Sequence, residues 1–578
     1  MLACRIRQDD NIDGIKIGES HIKISQLADD TTCILDGLRS LKNVLHVFNV
    51  FSKCAGLNIN INKTNAKYIG SLEDSDYYPH GLSWIKDNIV TLGIVFTNTE
   101  QDNYNLNFKP RILKLENLLR VWNQRYLSLK GKITIINSLA LSSLIYVSSV
   151  INTPKKAISE IDRLITNFFW NSEWPKIAKN VIIQPICDGG LKFPDFESKV
   201  DALRLSWVKR FMVQPMANWK LIPMHYYKCK DIAMIFYCKQ NPIIHDNIPD
   251  FYKICFNLWS KLHAVQPISA EMVLNEVLWN NKYITIDRKP YLYEAWQKAG
   301  IVRVGDLLND DCTFMSYKQL EEKFEVKCNF LQMLQVRHSL PLHWRNIVCN
   351  SGKIVPLPKN KIQILDNYIK LENLDCKMFY WLLVAQKKRH PQCKTKWAEY
   401  FPLLKCVDNN VWERIFETPF RVTRETKLQS FQFRIIHRII PCNKWLHNIT
   451  LIANSKCNYC DKEDNLMHYF LYCPNTEIFW KCFFNWWNSL SGIVIKEILE
   501  EHIIFGYPGD GEIQTVLNFC VILAKWFIYC KKLNSKNDID LYQYLIQLKE
   551  RLHIERLLCY KNNNQHIFDK YNFIYENL

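Results

Sequence analysis

The pattern Cys457-x2-Cys460-x7-His468-x4-Cys473 places three thiols and an imidazole within 17 residues. No other feature restricts this chain so tightly, because four such side chains that share one ion must be brought to the corners of a tetrahedron by the intervening backbone. The Cys-x2-Cys step supplies the tight turn that lets two sulfurs face one metal. A closed Cys3His set is structural zinc chemistry, with no open coordination position for catalysis. With 21 Cys and 15 His in 578 residues, this spacing arises by chance about once in a thousand such chains, or roughly once in a hundred when related spacings count. Buried thiols in a helical core are the competing explanation.

The other cysteines point the same way. Their total is odd, and the chain opens Met-Leu-Ala-Cys-Arg-Ile-Arg without the apolar run of a signal peptide. A reducing cytoplasmic and/or nuclear compartment is expected, with most thiols acting as small buried hydrophobes. Ile133 to Pro154 carries no charge, yet nine of its 22 residues are Ser, Thr or Asn. That composition predicts a buried amphipathic helix and no membrane partner.

Length and composition describe an ordinary globular chain: 48% hydrophobic and 23% charged residues, with 17 Gly and 21 Pro. Disordered and collagenous classes are excluded, and three to four domains are expected. The formal net charge is +17, and it is concentrated. Residues 331–450 hold 20 Lys/Arg against 8 Asp/Glu, a surplus of +12, whereas residues 451–578 hold 13 against 15. A basic block of this size suggests a polyanionic partner. Its densest run is Lys387-Lys388-Arg389-His390, and Arg434-Ile-Ile-His437-Arg438 reads as a helix ended by Pro441.

Near the N-terminus, two short apolar runs flank Asp29-Asp30 and predict a β-hairpin with the carboxylates at its tip. Leu38, Leu41, Leu45 and Phe48 then recur at helical spacing, Gly56 stands where a C-cap glycine belongs, and Leu57-Asn-Ile-Asn-Ile-Asn62 alternates as a half-buried strand does. Adjacent carboxylates repel by about 4 kcal/mol at about 4 Å and an effective dielectric near 20. A hard cation such as Mg²⁺ removes that cost.

In order and spacing, Leu27-Ala28-Asp29-Asp30, Gly56-Leu57-Asn58 with Asn62-Lys63-Thr64, and Thr91-Leu92-Gly93-Ile94 resemble the later palm motifs of reverse transcriptases from non-LTR (LINE-type) retrotransposons. Trp122, Arg125, Leu127 to Lys132, Phe168-Phe169-Trp170 and Gly189-Gly190-Leu191 are similar to their thumb and post-thumb pattern. The Cys/His cluster, with Cys473-Pro474 and the aromatic run from Ile478 to Trp487, resembles their C-terminal Cys-Cys-His-Cys motif. The resemblance implies that Asp29 and Asp30 bind catalytic Mg²⁺ and that Lys63 lies near the nucleotide triphosphate. It implies structural Zn²⁺ on Cys457, Cys460, His468 and Cys473. It implies RNA template and target DNA as partners. The charge pattern makes Arg125, Lys130 and Lys132, and in the basic block Lys387, Lys388, Arg389, Arg434 and Arg438, candidate contacts, with Lys387 to His390 also readable as a nuclear-import patch.

Leu27 stands where the family more often has Tyr or Phe. The third palm carboxylate and the fingers lie before the point where this sequence starts, so a separate upstream portion is a possible partner and polymerisation by this chain alone is not expected. A non-catalytic RNA- or DNA-binding module and an unrelated helical zinc protein are the alternatives.

The expected fold is α+β overall and mainly α-helical. It comprises a partial palm over 1–100, a helical thumb and post-thumb over 101–200, a mostly helical basic linker over 201–430, and a zinc-binding region with a helical tail over 431–578. Aromatics such as Trp207, Trp219, Trp259, Trp279 and Trp296 are expected in cores.

Overall fold

The computed structural model describes residues 1–578 except 19, 29, 98, 214–216, 228–247, 264–265, 268, 351–360, 366, 492–494, 496, 510, 534–538, 562–564 and 577. The fold is mainly α-helical with small β elements, and each sheet among the described residues has two strands. Two compact units are each assembled from non-consecutive segments: 1–113, 143–159 and 196–383 in the first, and 114–142, 160–195 and 384–578 in the second.

In the first unit, the strands Ile24–Leu27 and Asp30–Cys33 pair antiparallel with Leu27 opposite Asp30. Ala28, directly after the first of these strands, takes a left-handed φ of 53°, as tight hairpin connections favour. The amphipathic stripe forms the helix Gly37–Ala55, which ends at Gly56 with φ 68° and a bond from its N–H to the Ser52 carbonyl. Behind the hairpin and this helix lies a small core of Ile6, Ile12, Ile24, Val44 and Val47.

The alternating run from Leu57 to Asn62 is not a strand. Residues 57–60 are irregular and Ile61–Lys63 is a 3-10 turn. The Asn60 side chain and carbonyl both accept from the Lys63 N–H, at 3.2 and 3.0 Å, so a local turn over Asn60–Lys63 replaces extended backbone at the end of the run. Larger cores lie further along. Trp279 and Trp296 are buried among the residues 273–348, and Trp259 packs with the helices Phe196–Val213 and Asp250–His263, with Trp207 and Trp219 at the edge of that cluster.

In the second unit, one continuous core runs from Cys393 to Ile574. Its centre is the helix Glu512–Leu533, against which Asn409–Val422 and Thr426–Ile436 pack. The stretch Ile513–Leu533 is long and apolar enough to cross a membrane, but 67% of its most apolar window is buried inside the protein. The uncharged 133–154 region is divided between the units: the end of one helix and a π-turn, with Ile136 buried, belong to this one, and the helix Ser142–Val150, with Leu144 and Val147 buried, runs into the first. Helix Leu129–Ile135 also packs on Thr426–Ile436, which brings the segment after Trp122 and the approach to the Cys/His cluster into one body.

Gly189 and Gly190 show why this body tolerates no side chain at that corner. Gly189 has φ +84°, and a Cβ there would meet the Phe416 ring and Pro391 at 2.9 Å. A Cβ on Gly190 would lie 2.0 Å from the Gln184 carbonyl oxygen. The chain then runs to Asp195, whose buried carboxylate is held by Lys179 at 2.6 Å and Lys387 at 2.8 Å.

Candidate metal centre

Three local devices build the cluster. An antiparallel bridge between Lys456 and Glu463 closes a tight loop, with the Cys457 N–H bonded to the Lys462 carbonyl at 2.7 Å and Asp461 at φ 55°. This presents Cys457 and Cys460 on one side. Asn465 Oδ1 accepts from the His468 N–H at 2.9 Å and starts the π-turn His468–Tyr472. The wide i to i+5 step, closed by the Cys473 N–H on the His468 carbonyl at 3.1 Å, brings His468 and Cys473 to the same side. Cys473 then immediately precedes the helix Pro474–Ser491.

The four ligand atoms lie within 4.8 Å of one another. Cys457 Sγ is 3.9 Å from Cys473 Sγ, and Cys460 Sγ is 3.2 Å from His468 Nε2. A tetrahedron with metal–sulfur bonds of about 2.3 Å and a metal–nitrogen bond of about 2.0 Å has edges of about 3.5–3.8 Å. The donors therefore stand within about 1 Å of coordination spacing, and four of them complete a tetrahedral set. This cluster can hold a metal ion. Among the described residues it is the one group of three or more metal-capable side chains so arranged.

Surrounding groups favour the ligating forms of Cys473 and His468. The Cys473 thiol is pushed toward thiolate by its bond to Cys457, by the Lys532 ammonium and by the backbone N–H groups of Asn475 and Thr476 in the first turn of the following helix. Cys457 is correspondingly held protonated by the shared contact and by burial, as expected when two thiols compete for one proton in the absence of a cation. Burial, first of all, lowers the His468 pKa and so favours the neutral imidazole that binds metals. Lys532 comes from the helix Glu512–Leu533 and donates to the Tyr469 carbonyl at 2.7 Å, tying the cluster to the core. Asp464 Oδ2 accepts from the Asn443 N–H at 3.2 Å, and the Asp464 carboxyl pKa is raised, mainly by burial. Neither residue was singled out from sequence: Lys532 follows the last ligand by 59 positions with no periodic signal.

The other candidate residues fare differently. Asp29 lies outside the described residues. Asp30 and Lys63 are exposed, and among the described residues no hydrogen bond or ion pair joins them. Arg125 is exposed and stacks over Trp122 at 5.5 Å, and Lys130 and Arg389 are exposed.

Lys132 does not face solvent, contrary to expectation. It is buried, and its Nζ donates to the carbonyls of Phe168 at 2.7 Å and Phe169 at 3.4 Å and to Asn171 Oδ1. A helix C-terminus offers unpaired carbonyls to a cation, and Lys132 takes that role. Burial, with help from Arg434 and Lys176, lowers its pKa to about 8.

The densest basic run is partly neutralised within the fold. Lys387 is paired with buried Asp195, and Lys388 with Asp188 at 2.5 Å. Arg438 is not helical: the helix ends at Ile436, and Arg438, at φ 58°, lies over the rings of Trp397 and Tyr400 at 4.6 and 4.5 Å. Arg434 is half-buried on the last turn of that helix. His437 is fully enclosed between Phe433 and Phe416 and bonded to the Gly189 backbone, and burial pushes its pKa down to about 4.

No family model matches the chain. Over 314 residues, 51% of this chain, it is 24% identical to the Transposon TX1 uncharacterized 149 kDa protein of Xenopus laevis. The chain is similar to a transposon protein. It covers 24% of that relative's length. The Phe168-Phe169-Trp170 and Gly189-Gly190 motifs both lie in the second unit, where Phe169 packs on Phe193 at 4.9 Å and Gly189 sits against Phe416.

Proposed function

We propose that the chain is part of a non-LTR retrotransposon reverse transcriptase polyprotein and that its own contribution is to bind nucleic acid on a helical body stiffened by structural zinc. The similarity to a transposon protein over half the chain carries this reading. The reverse-transcriptase motifs quoted above, the zinc assignment of the Cys3His set and the basic surplus support it. In this reading residues 1–100 correspond to part of a palm, 101–200 to a thumb and post-thumb, 201–430 to a linker and 431–578 to the zinc-binding region. RNA template and target DNA are the partners. Zinc would supply cross-linking of the 457–473 segment, and the closed donor set assigns it no chemistry on a substrate.

Polymerisation is not assigned to this chain by itself. Asp30 stands on an exposed two-stranded hairpin, and two-metal chemistry needs carboxylates converging on the ions. The test is template–primer extension with Mg²⁺ and deoxynucleotides, together with binding of labelled RNA and DNA. Binding that falls by about 10³ to 10⁵ between 50 and 200 mM salt, with no extension, is expected if six to ten phosphates are contacted. Salt-independent binding would overturn the nucleic-acid reading. Extension lost in Asp29→Ala or Asp30→Ala would overturn the claim of incompetence.

A further inference from the structure

Residues 171–178 form a surface loop after the helix Lys155–Trp170, and its start is rigidly held. Asn171 has φ 50°, and its side chain, with the last carbonyls of the helix, clasps the Lys132 ammonium. All three N–H groups of that ammonium are thereby used, so Lys132 adds a positive field but no donor. The loop then presents Trp174, which is 81% exposed, with its backbone N–H bonded to Ser172 Oγ at 3.1 Å. An indole left in water on an ordered turn has no packing role in this chain and is suited to a partner.

Two residues later comes Lys176, and Arg434 lies on the helix that packs against the Lys132 helix. The side chains of Lys176 and Arg434 have no hydrogen-bond or ion-pair partner among the described residues. The three cations feel one another: Arg434 adds to burial in lowering the ammonium pKa of both Lys132 and Lys176. Glu173 is on the same exposed loop, yet no carboxylate pairs with any of the three among the described residues. Uncompensated like charges gathered at one site are stabilised by an anion, and a planar aromatic alongside them favours an anion that carries a flat ring.

We propose that the 171–178 loop is a binding site for single-stranded nucleic acid, in which Trp174 stacks on an unpaired base and Lys176 and Arg434 take the adjacent phosphates. A duplex hides its base faces, so the exposed indole selects the unpaired form. This rests on the nucleic-acid-binding reading above and adds a place and a strand preference to it.

The test uses the full chain purified with zinc, and fluorescence anisotropy with labelled oligodeoxythymidylate and a duplex of equal length. Trp174→Ala is expected to weaken single-strand binding between about fivefold and a hundredfold and to leave duplex binding unchanged. Lys176→Gln and Arg434→Gln should each lower the single-strand salt slope by about 0.7, and Arg434→Lys should restore most of it. Trp174 and Lys176 are exposed, so their variants keep the fold, which an unchanged melting curve checks. Unchanged single-strand affinity in Trp174→Ala, or an equal loss on duplex, would overturn the proposal. So would displacement of the strand by inorganic phosphate at matched ionic strength, which would assign a free-phosphate site. Wild-type protein that binds neither form fails the broader reading, whereas wild-type binding with indifferent variants fails this one alone.

Discussion

The Asp-Asp hairpin and the Cys/His cluster pose the same electrostatic problem, several anionic donors in a short segment that need a cation, and the fold treats them in opposite ways. At the cluster, a bridge, a π-turn and a helix N-terminus set four donors near coordination spacing, and Lys532 and Tyr469 join them to the core that runs from Cys393 to Ile574. At the hairpin, Asp30 is exposed on a two-stranded ladder, Leu27 beside it is 63% exposed, and the supporting core has five side chains. The lesson is that donor identity proposes a metal site, but a packed scaffold that holds the donors apart from solvent and close to one another makes it.

The largest expected effect tests that difference directly. Cys473→Ala or removal of metal by a chelator should melt the region around 457–473, because a structural zinc contributes about 10 to 16 kcal/mol to local folding. Limited proteolysis and hydrogen exchange in that segment read the loss. Protection that is unchanged in metal-free protein would make the cluster ordinary buried thiols and erase the contrast with the hairpin.

Next in size is the buried ion network of the same unit. Asp195→Ala leaves Lys179 and Lys387 without their shared carboxylate and should cost about 3 kcal/mol in urea unfolding, at the low end for a broken buried pair because both lysines keep about a third of their surface in water. A loss below about 0.5 kcal/mol would mean that the segment ending at Asp195 does not depend on this anchor.

Acid should weaken the second unit through His437. Its folded pKa of about 4 lies below the ordinary 6.5, so between these values the unfolded chain holds a proton that the folded chain does not. Stability from this group is present above pH 6.5 and is lost as pH falls toward 4. Between pH 7 and pH 5 the wild type should lose about 2 kcal/mol more than His437→Phe. Equal losses would show that the imidazole is not held neutral.

The smallest effect belongs to the hairpin. Asp30→Ala should change stability by less than about 0.5 kcal/mol, since the carboxylate is exposed and unpaired among the described residues. A large loss would reveal a structural role that its surroundings do not suggest.

Legibility followed the range of the interactions. The hairpin, the helix with Gly56 as its cap, the aromatic cores and the Cys/His tetrad were all readable because each is signalled by neighbours a few residues apart. The strand expected at 57–62 failed because alternation needs a partner strand, and Asn60 instead caps a 3-10 turn over Ile61–Lys63 that closes the end of the run. Lys132, Lys387 and Lys388 read as free basic residues because their carbonyl and carboxylate partners lie 36 or more positions away in sequence.

By itself, then, the sequence determined the chemistry on offer: a Cys3His donor set, a basic surplus, helical periodicity and the motifs that resemble a retrotransposon polymerase. Only the tertiary structure decided which charges remain available. Burial removed Lys132 from solvent, the pairs with Asp195 and Asp188 occupied two lysines of the basic run, and the Trp397 and Tyr400 rings covered Arg438. The reason is physical. A composition counts charges, but a charge acts on a partner only where folding leaves it unpaired and solvated, and that depends on contacts between segments 36 to 200 residues apart.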